Sequence, residues 1–393
     1  YKAYGPYFTR KVPVMVINQF GVSPNLKSPG GADKGPDFSV NGRVNPIVTM
    51  RPGEVQMWRI VNTSSRGGVF FNGPPTKFIE GGAPAAFQWR RIAQDGVQFN
   101  DYNYQLAAHQ NSTFLLAAGN RADLLVMAPA CPKPATTCTA SVLVQNEVDP
   151  SDLPTATPLS LVTVKIAGAA YNPPMAFMDH APSFPPFLED IADSEVKGWQ
   201  TIDFATQKQV APPTQPAMHT INGKKFDGEV GVSVLLNKVE QWKITNATAG
   251  NISHPFHIHI NPFQVVEVFD PNEKLSDGKT AKYVTTQAGI LPTQCYLNPD
   301  ADPETWKPCN PSVVPSSKNE IWWDVFPIPS GLSATKTDAA KTPIIIPGYF
   351  KMRSRFVDYP GYYVIHCHIL AHEDRGMMTV VEVTPLLPPF SHH

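Results

Sequence analysis

YYVIHCHILAHEDRGMMTV, residues 362–380, packs three histidines, one cysteine and two methionines into one short run. Read as a strand up to the cysteine, the run sends successive side chains to opposite faces. Cys367 then faces one way, and His366 and His368 face the other. A metal on the cysteine side would be wired covalently to a second metal site on the histidine side. His372 and Met377 follow Cys367 by five and ten residues, and two turns of loop or helix bring both back beside it. A thiolate, imidazoles and a weak thioether are the ligand set of a blue-copper electron-transfer site.

Such a set needs a second imidazole, and residues 254–259, HPFHIH, offer it. His257 and His259 share a strand face, while His254 stands three residues back and can point elsewhere. The residues therefore assign His254, Cys367, His372 and Met377 to one copper. His257, His259, His366 and His368 form half of a histidine-rich cluster beneath it. Six of the chain's 11 histidines fall in these two motifs, more than packing requires of so little sequence.

HPFHIH at 254–259 and HCHILAHEDRGM at 366–377 resemble the multicopper oxidases: laccases, ascorbate oxidase and the bacterial copper and manganese oxidases. The resemblance implies a type 1 copper on His254, Cys367, His372 and axial Met377, a type 2 copper on His257, and a type 3 pair on His259, His366 and His368. Glu373 matches an acidic residue that relays protons to the trinuclear centre in bacterial members; its other reading is a partner that orients a ligand imidazole. More loosely the likeness runs over nearly the whole chain, as the second and third domains of a three-domain enzyme whose N-terminal domain is missing. The implied fold is all-β: two cupredoxin-like Greek-key sandwich or barrel domains.

The rest of the sequence agrees with that class. At 393 residues the chain exceeds the usual single domain. Many short strands separated by turn residues, with 41 prolines and 26 glycines, point to sandwiches or barrels. Val55–Asn62, VQMWRIVN, recurs as VEQWKITN at 239–246, an internal echo of one β-domain in two copies. Domains are expected at 1–150, without copper ligands, and at 216–393, holding them, with a proline-broken connector at 151–215 and a short helix near Asp190–Val196. Two motifs more than 100 residues apart must meet in space, as in a Greek key.

Lys plus Arg is 32 against 33 acidic residues, so no basic field favours nucleic acid. No run has the length and apolarity of a membrane helix, and the chain does not start with a signal-peptide pattern. Of five cysteines, Cys131–Cys138 and Cys295–Cys309 bracket short loops as candidate disulfides, leaving Cys367 for copper. That pattern suits an oxidising, secreted setting. Sequons stand at Asn62, Asn111, Asn246 and Asn251. Arg121 and Asp123 are expected to be structural, His109 hydrogen-bonded or on the surface, and Met175, Met178 and His180 loop residues rather than a soft-metal patch. Trp322 and Trp323 are expected in the core rather than as a stacking platform.

The resemblance also exposes a gap. A full trinuclear centre uses four more histidines from an N-terminal domain, and His109, His180, His219, His392 and His393 lie in no such motif. The chain is expected to supply one complete type 1 set and half of the dioxygen-reducing set. Dioxygen, a small reducing substrate (a phenol, aromatic amine or metal ion) and a complementing N-terminal domain are the expected partners. The alternative is a non-catalytic type 1 copper protein that transfers electrons or binds copper.

Overall fold

Valine, isoleucine and aromatic residues in alternation fit a pleated, half-buried surface, and the strands form where they alternate. The computed structural model describes residues 5, 7–9, 12–20, 37–65, 67–146, 158–207, 218–248, 252–274, 281–284, 320–337 and 343–385. Among these the longest helix is five residues, Asp101–Gln105. The chain divides into a first unit, Tyr1–Val148 with Asp152–Leu188, and a second, Glu189–His393 with Asp149–Ser151.

The first unit is a sandwich of two sheets. One runs in the order Asp37–Val40, Val14–Phe20, Val55–Asn62, Arg121–Met127, Gln88–Gln94, Val97–Gln98; the other in the order Ile47–Met50, Leu159–Ile166, Cys138–Asn146, Val69–Phe71, Phe114–Leu116. Trp58, Trp89, Phe71 and Phe114 fill the space between them. Phe71 stacks on Phe114 at 4.5 Å, and Trp89 meets both rings edge-on. Each such side chain, fully buried, contributes about 1.5–3 kcal/mol. Cys131 and Cys138 form the expected disulfide. Cys295 and Cys309 lie outside the described residues.

The second unit repeats the plan. Its larger sheet runs Met218–Ile221, Val196–Gln207, Lys238–Asn246, Gly348–Phe356, Phe263–Lys274, Ala281–Val284. The smaller runs Val230–Leu235, Met378–Thr384, Gly361–Cys367, His254–Ile258, Val325–Ile328. Trp242, Phe256, Phe263, Phe350 and Phe356 occupy the core between them. The pair Asn222-Gly223 turns the chain with φ of 50° and 75°, the left-handed geometry of a tight hairpin.

Residues 151–215, expected as a connector, contribute a strand to each unit. Leu159–Ile166 pairs with Cys138–Asn146, and Val196–Gln207 runs parallel to Lys238–Asn246. The prolines of this stretch fall before, between and after the two strands in sequence, and none lies within either. The short helix expected near Asp190–Val196 is two 3₁₀ turns, Pro186–Leu188 and Asp193–Glu195.

Candidate metal centre

His254–Ile258 lies antiparallel beside Gly361–Cys367, with Phe256 opposite Cys367 and His257 opposite His366. The two motifs, far apart in sequence, are therefore hydrogen-bonded neighbours. Period two does the sorting. His254, Phe256 and Cys367 turn into the core, where each is fully buried; His257, His259 and His366 turn the other way. His254 is the first residue of the strand, and its pairing with Ile328 fixes it on the core face.

The return of His372 is local. Past Cys367 the chain closes one helical turn, Leu370–Glu373, which swings His372 back to the thiol. Gly376 then takes φ of 105°, a conformation that favours glycine, and a Cβ there would stand 3.1 Å from the Lys225 Cβ. Met377 follows, fully buried in the same core cluster as Cys367. Its amide donates to the His372 carbonyl at 3.0 Å, and its carbonyl accepts from the Cys367 amide at 3.1 Å.

Three donor atoms converge. Cys367 Sγ lies 3.6 Å from His254 Nδ1 and 3.7 Å from His372 Nδ1, and the two nitrogens are 3.2 Å apart. The circle through three atoms so spaced has a radius of about 2 Å, close to a metal–imidazole bond length. The donor set and its spacing therefore fit a first-row metal ion, and a thiolate with two imidazoles fits copper. Thr248 supports the arrangement: its Oγ1 accepts the Thr206 amide at 2.7 Å and sits 3.0 Å from His254 Nε2. A proton on that Nε2 leaves Nδ1 bare toward the thiol.

On the opposite face, His257, His259 and His366 place one nitrogen each within metal-sharing distance. His259 Nε2 and His366 Nε2 are 3.3 Å apart. The His368 ring stands 5.5 Å from His257 and 5.6 Å from His366. Other nitrogens are anchored behind. His257 Nδ1 donates to the Asp324 carbonyl at 2.8 Å, and His366 Nδ1 lies 3.2 Å from Glu373 Oε2. These contacts aim Nε2 of each ring at the shared space. The face is partly open, since His259 is exposed while His366 is buried.

Electrostatics favour the metal-binding forms. Burial pushes the imidazoles of His372 and His257 down to about 4 and that of His366 to about 3, and it lowers those of His254 and His259. All five are neutral near pH 7, the form that ligates metal. Burial pushes the Cys367 thiol up, so metal binding there must release a proton. Burial also raises the Glu373 carboxyl, against the lowering effect of His368.

The remaining singled-out residues have other tasks. His109 is buried, with Nδ1 2.7 Å from the Asn103 carbonyl. His180 pairs with Asp101 at the surface, and Met175 Sδ accepts the Val55 amide. Arg121 binds Asp95, and Asp123 binds Arg59 at 3.2 Å. Trp322 is buried and Trp323 packs edge-on against Phe326, as a core role requires. Two sequons are closed: Asn62 and Asn246 are fully buried with their amides donating to backbone carbonyls. Asn251, His392 and His393 lie outside the described residues. Sequence reasoning missed Thr206, Thr248 and Asp324, whose types are common in turns and strands and whose value appears only against a histidine. It also gave no role to His219, whose ring stacks on His372.

A family model described as multicopper oxidase matches residues 200–386. The chain is 29% identical over 168 residues to the multicopper oxidase mco of Staphylococcus aureus, a match covering 42% of this chain and 24% of that protein. It is 23% identical over 369 residues to a Bacillus subtilis laccase, covering 92% of this chain and 57% of the relative. Among solved structures, the McoA multicopper oxidase from Aquifex aeolicus superposes with a TM-score of 0.58 at 15% identity, over 95% of this chain and 66% of that one. A Campylobacter jejuni multicopper oxidase, described as a metallo-oxidase, gives 0.57 at 15%, over 95% and 64%. The fold is thus that of cupredoxin-like sandwiches, and the chain spans only part of its relatives' length. Both histidine motifs fall inside residues 200–386, the region that the multicopper oxidase family model matches.

Proposed function

We propose that this chain is the electron-entry part of a laccase-like oxidase, which couples one-electron oxidation of small reductants to four-electron reduction of dioxygen to water. The reading rests on one observation: the pairing of Phe256 with Cys367 and of His257 with His366 separates a thiol site from a histidine site by a single residue step. His254, Cys367, His372 and Met377 form the type 1 set. His257 is the type 2 ligand, and His259, His366 and His368 are type 3 ligands. Copper, when bound, supplies the one-electron redox change on the thiol side and the dioxygen chemistry on the histidine side.

The chain's own residues do the rest. Cys367 is joined through its backbone to His366 and His368, a short covalent path from one face of the sheet to the other. Glu373 lies beside His366, and burial raises its carboxyl from the ordinary value, the direction that suits a group that hands protons on. Exposed His259 leaves an edge for histidines from a complementing N-terminal domain. Reductants reach the His372 side, where a cavity of about 210 Å³ lined by Lys224, Lys225, Asp227, Glu229 and Met378 adjoins the Gly376 turn. Its mixed charge admits phenols, aromatic amines or metal ions. The Cys131–Cys138 disulfide fits a secreted enzyme. Among the described residues no helix is long and apolar enough to cross a membrane.

The second reading, a non-catalytic type 1 electron carrier, draws on the single complete donor set. Copper per polypeptide and oxygen uptake separate the two, on material whose chain composition has been fixed by denaturing mass analysis. Alone, the chain is expected to hold about one tightly bound copper and to take up no oxygen. With a histidine-bearing N-terminal domain added, about four coppers and substrate-dependent uptake are expected. One copper and no uptake in that complemented sample leaves the carrier reading.

A further inference from the structure

His219 belongs to neither histidine motif, yet it sits against the thiol site. It lies on Met218–Ile221 and is 3% exposed. Its ring stacks on His372 with centroids 4.1 Å apart and planes 19° apart. Across the ladder it is registered with Thr206. Its Nδ1 is 2.9 Å from Thr206 Oγ1, and the same hydroxyl is 3.4 Å from His254 Nε2. Its other nitrogen, Nε2, is buried and has no hydrogen-bond partner among the described residues.

An apolar ring would fill this space without burying an unpaired nitrogen, which is costly. The cost is offset only if the imidazole does something a hydrocarbon cannot. Stacking fixes the plane of His372, whose own position comes from one short helical turn. The bond to Thr206 ties the same ring into the cluster of hydroxyls behind His254, since the Thr206 amide also donates to Thr248 Oγ1. One side chain thus touches the supports of both imidazole donors.

Resting on the type 1 reading, we propose that His219 is a positioning residue of that site, holding His372 by stacking and His254 through Thr206. It acts through these two rings and does not touch the metal. Loss of a residue that orients ligands in this way typically weakens metal binding by about 10- to 100-fold.

The test uses the full chain and its variants His219→Ala, His219→Phe and Thr206→Val. Copper affinity is measured by chelator competition, together with the thiolate-to-copper charge-transfer band and the midpoint potential. His219→Ala is expected to weaken copper by about 10-fold or more and to shift both band and potential. His219→Phe, which keeps the stack, recovers part of the affinity. Thr206→Val shifts the band, and adds little once His219 is already Ala. Wild-type affinity, band and potential in His219→Ala would overturn the proposal. Where His219→Ala does not fold, His219→Phe and Thr206→Val decide on the same readouts, with wild-type values in both overturning it. A wild-type chain that shows no charge-transfer band with copper sinks the type 1 reading, and His219's role with it.

Discussion

Val55–Asn62 in the first unit and Lys238–Asn246 in the second carry matching text and matching contacts. Each runs parallel to one neighbour and antiparallel to another. Trp58 donates its indole N–H to Gln56 at 3.2 Å, and Trp242 donates to Glu240 at 2.7 Å. Each strand ends on a buried asparagine whose Oδ1 accepts from the amide two residues on, Ser64 or Thr248. There the likeness stops. The Thr248 hydroxyl meets His254 Nε2, while the Ser64 hydroxyl is buried without a partner among the described residues. The same turn is a plain strand exit in one unit and the back wall of a metal centre in the other. What distinguishes the bare sandwich from the one that carries the donor cluster is therefore a few side chains at strand ends, not the sheet.

Substituting Cys367 tests the comparison most severely. Cys367→Ser removes the only free cysteine among the described residues, and with it the thiolate of the donor triangle. Complete loss of the charge-transfer band is expected, with the β-sheet circular dichroism of both units unchanged. A blue band surviving this change would mean that the thiol site has been misplaced.

Trp58→Ala and Trp242→Ala come next, since each deletes the largest buried ring of its own repeat. A cost of about 3–5 kcal/mol is expected for each. In calorimetry, each variant should lower only the transition of its own unit. If both transitions move together, the units do not unfold independently.

Acid should act more on the second unit than on the first. His254, His257, His259, His366 and His372 all have folded-state values lowered by burial from the ordinary 6.5, whereas among the described first-unit histidines only His109 does. The unfolded chain then binds more protons than the folded one in this window, so stability rises with pH. This contribution is fully present above pH 6.5 and is lost as pH falls through about 4 and then about 3. Thermal melts of the metal-free protein from neutral to mildly acid pH should show the second unit's transition falling faster. Equal slopes would break the contrast.

The smallest effect compares the two strand exits directly. Thr248→Val strands the Thr206 amide and leaves His254 Nε2 only the 3.4 Å contact with Thr206 Oγ1, for an expected loss of about 1–3 kcal/mol in the metal-free protein. Ser64→Ala removes a hydroxyl with no partner among the described residues and should stay within about 0.5 kcal/mol. Urea midpoints of the two variants check this, and a larger loss in Ser64→Ala would show that the hydroxyl has a role.

Much of this was legible in the chain. The strand text, the echo of VQMWRIVN in VEQWKITN and the opposite facing of His366 and Cys367 lie where the sequence puts them, with His368 one residue past the strand's end. His254 was expected to be able to point away from His257 and His259, and it does so as the first residue of its strand. The strands inside 151–215 were hidden by prolines that turned out to flank them. Thr206, Thr248, Asp324 and His219 were illegible for a different reason. Each contributes through one partner across a sheet or turn, and a single threonine or histidine carries no periodic signal.

The antiparallel register at Phe256 and Cys367 has one more consequence. A slip of one residue would exchange the faces of every side chain on the moving strand. The thiol would then look toward the histidine opening, and an imidazole would enter the oily core. Length between the two motifs is a different matter, because closing a loop depends only weakly on how many residues it contains. The site is thus sensitive to phase and tolerant of distance. Insertions in the loops between the ligand motifs cost little, while a single deletion within either motif exchanges the thiol and histidine faces.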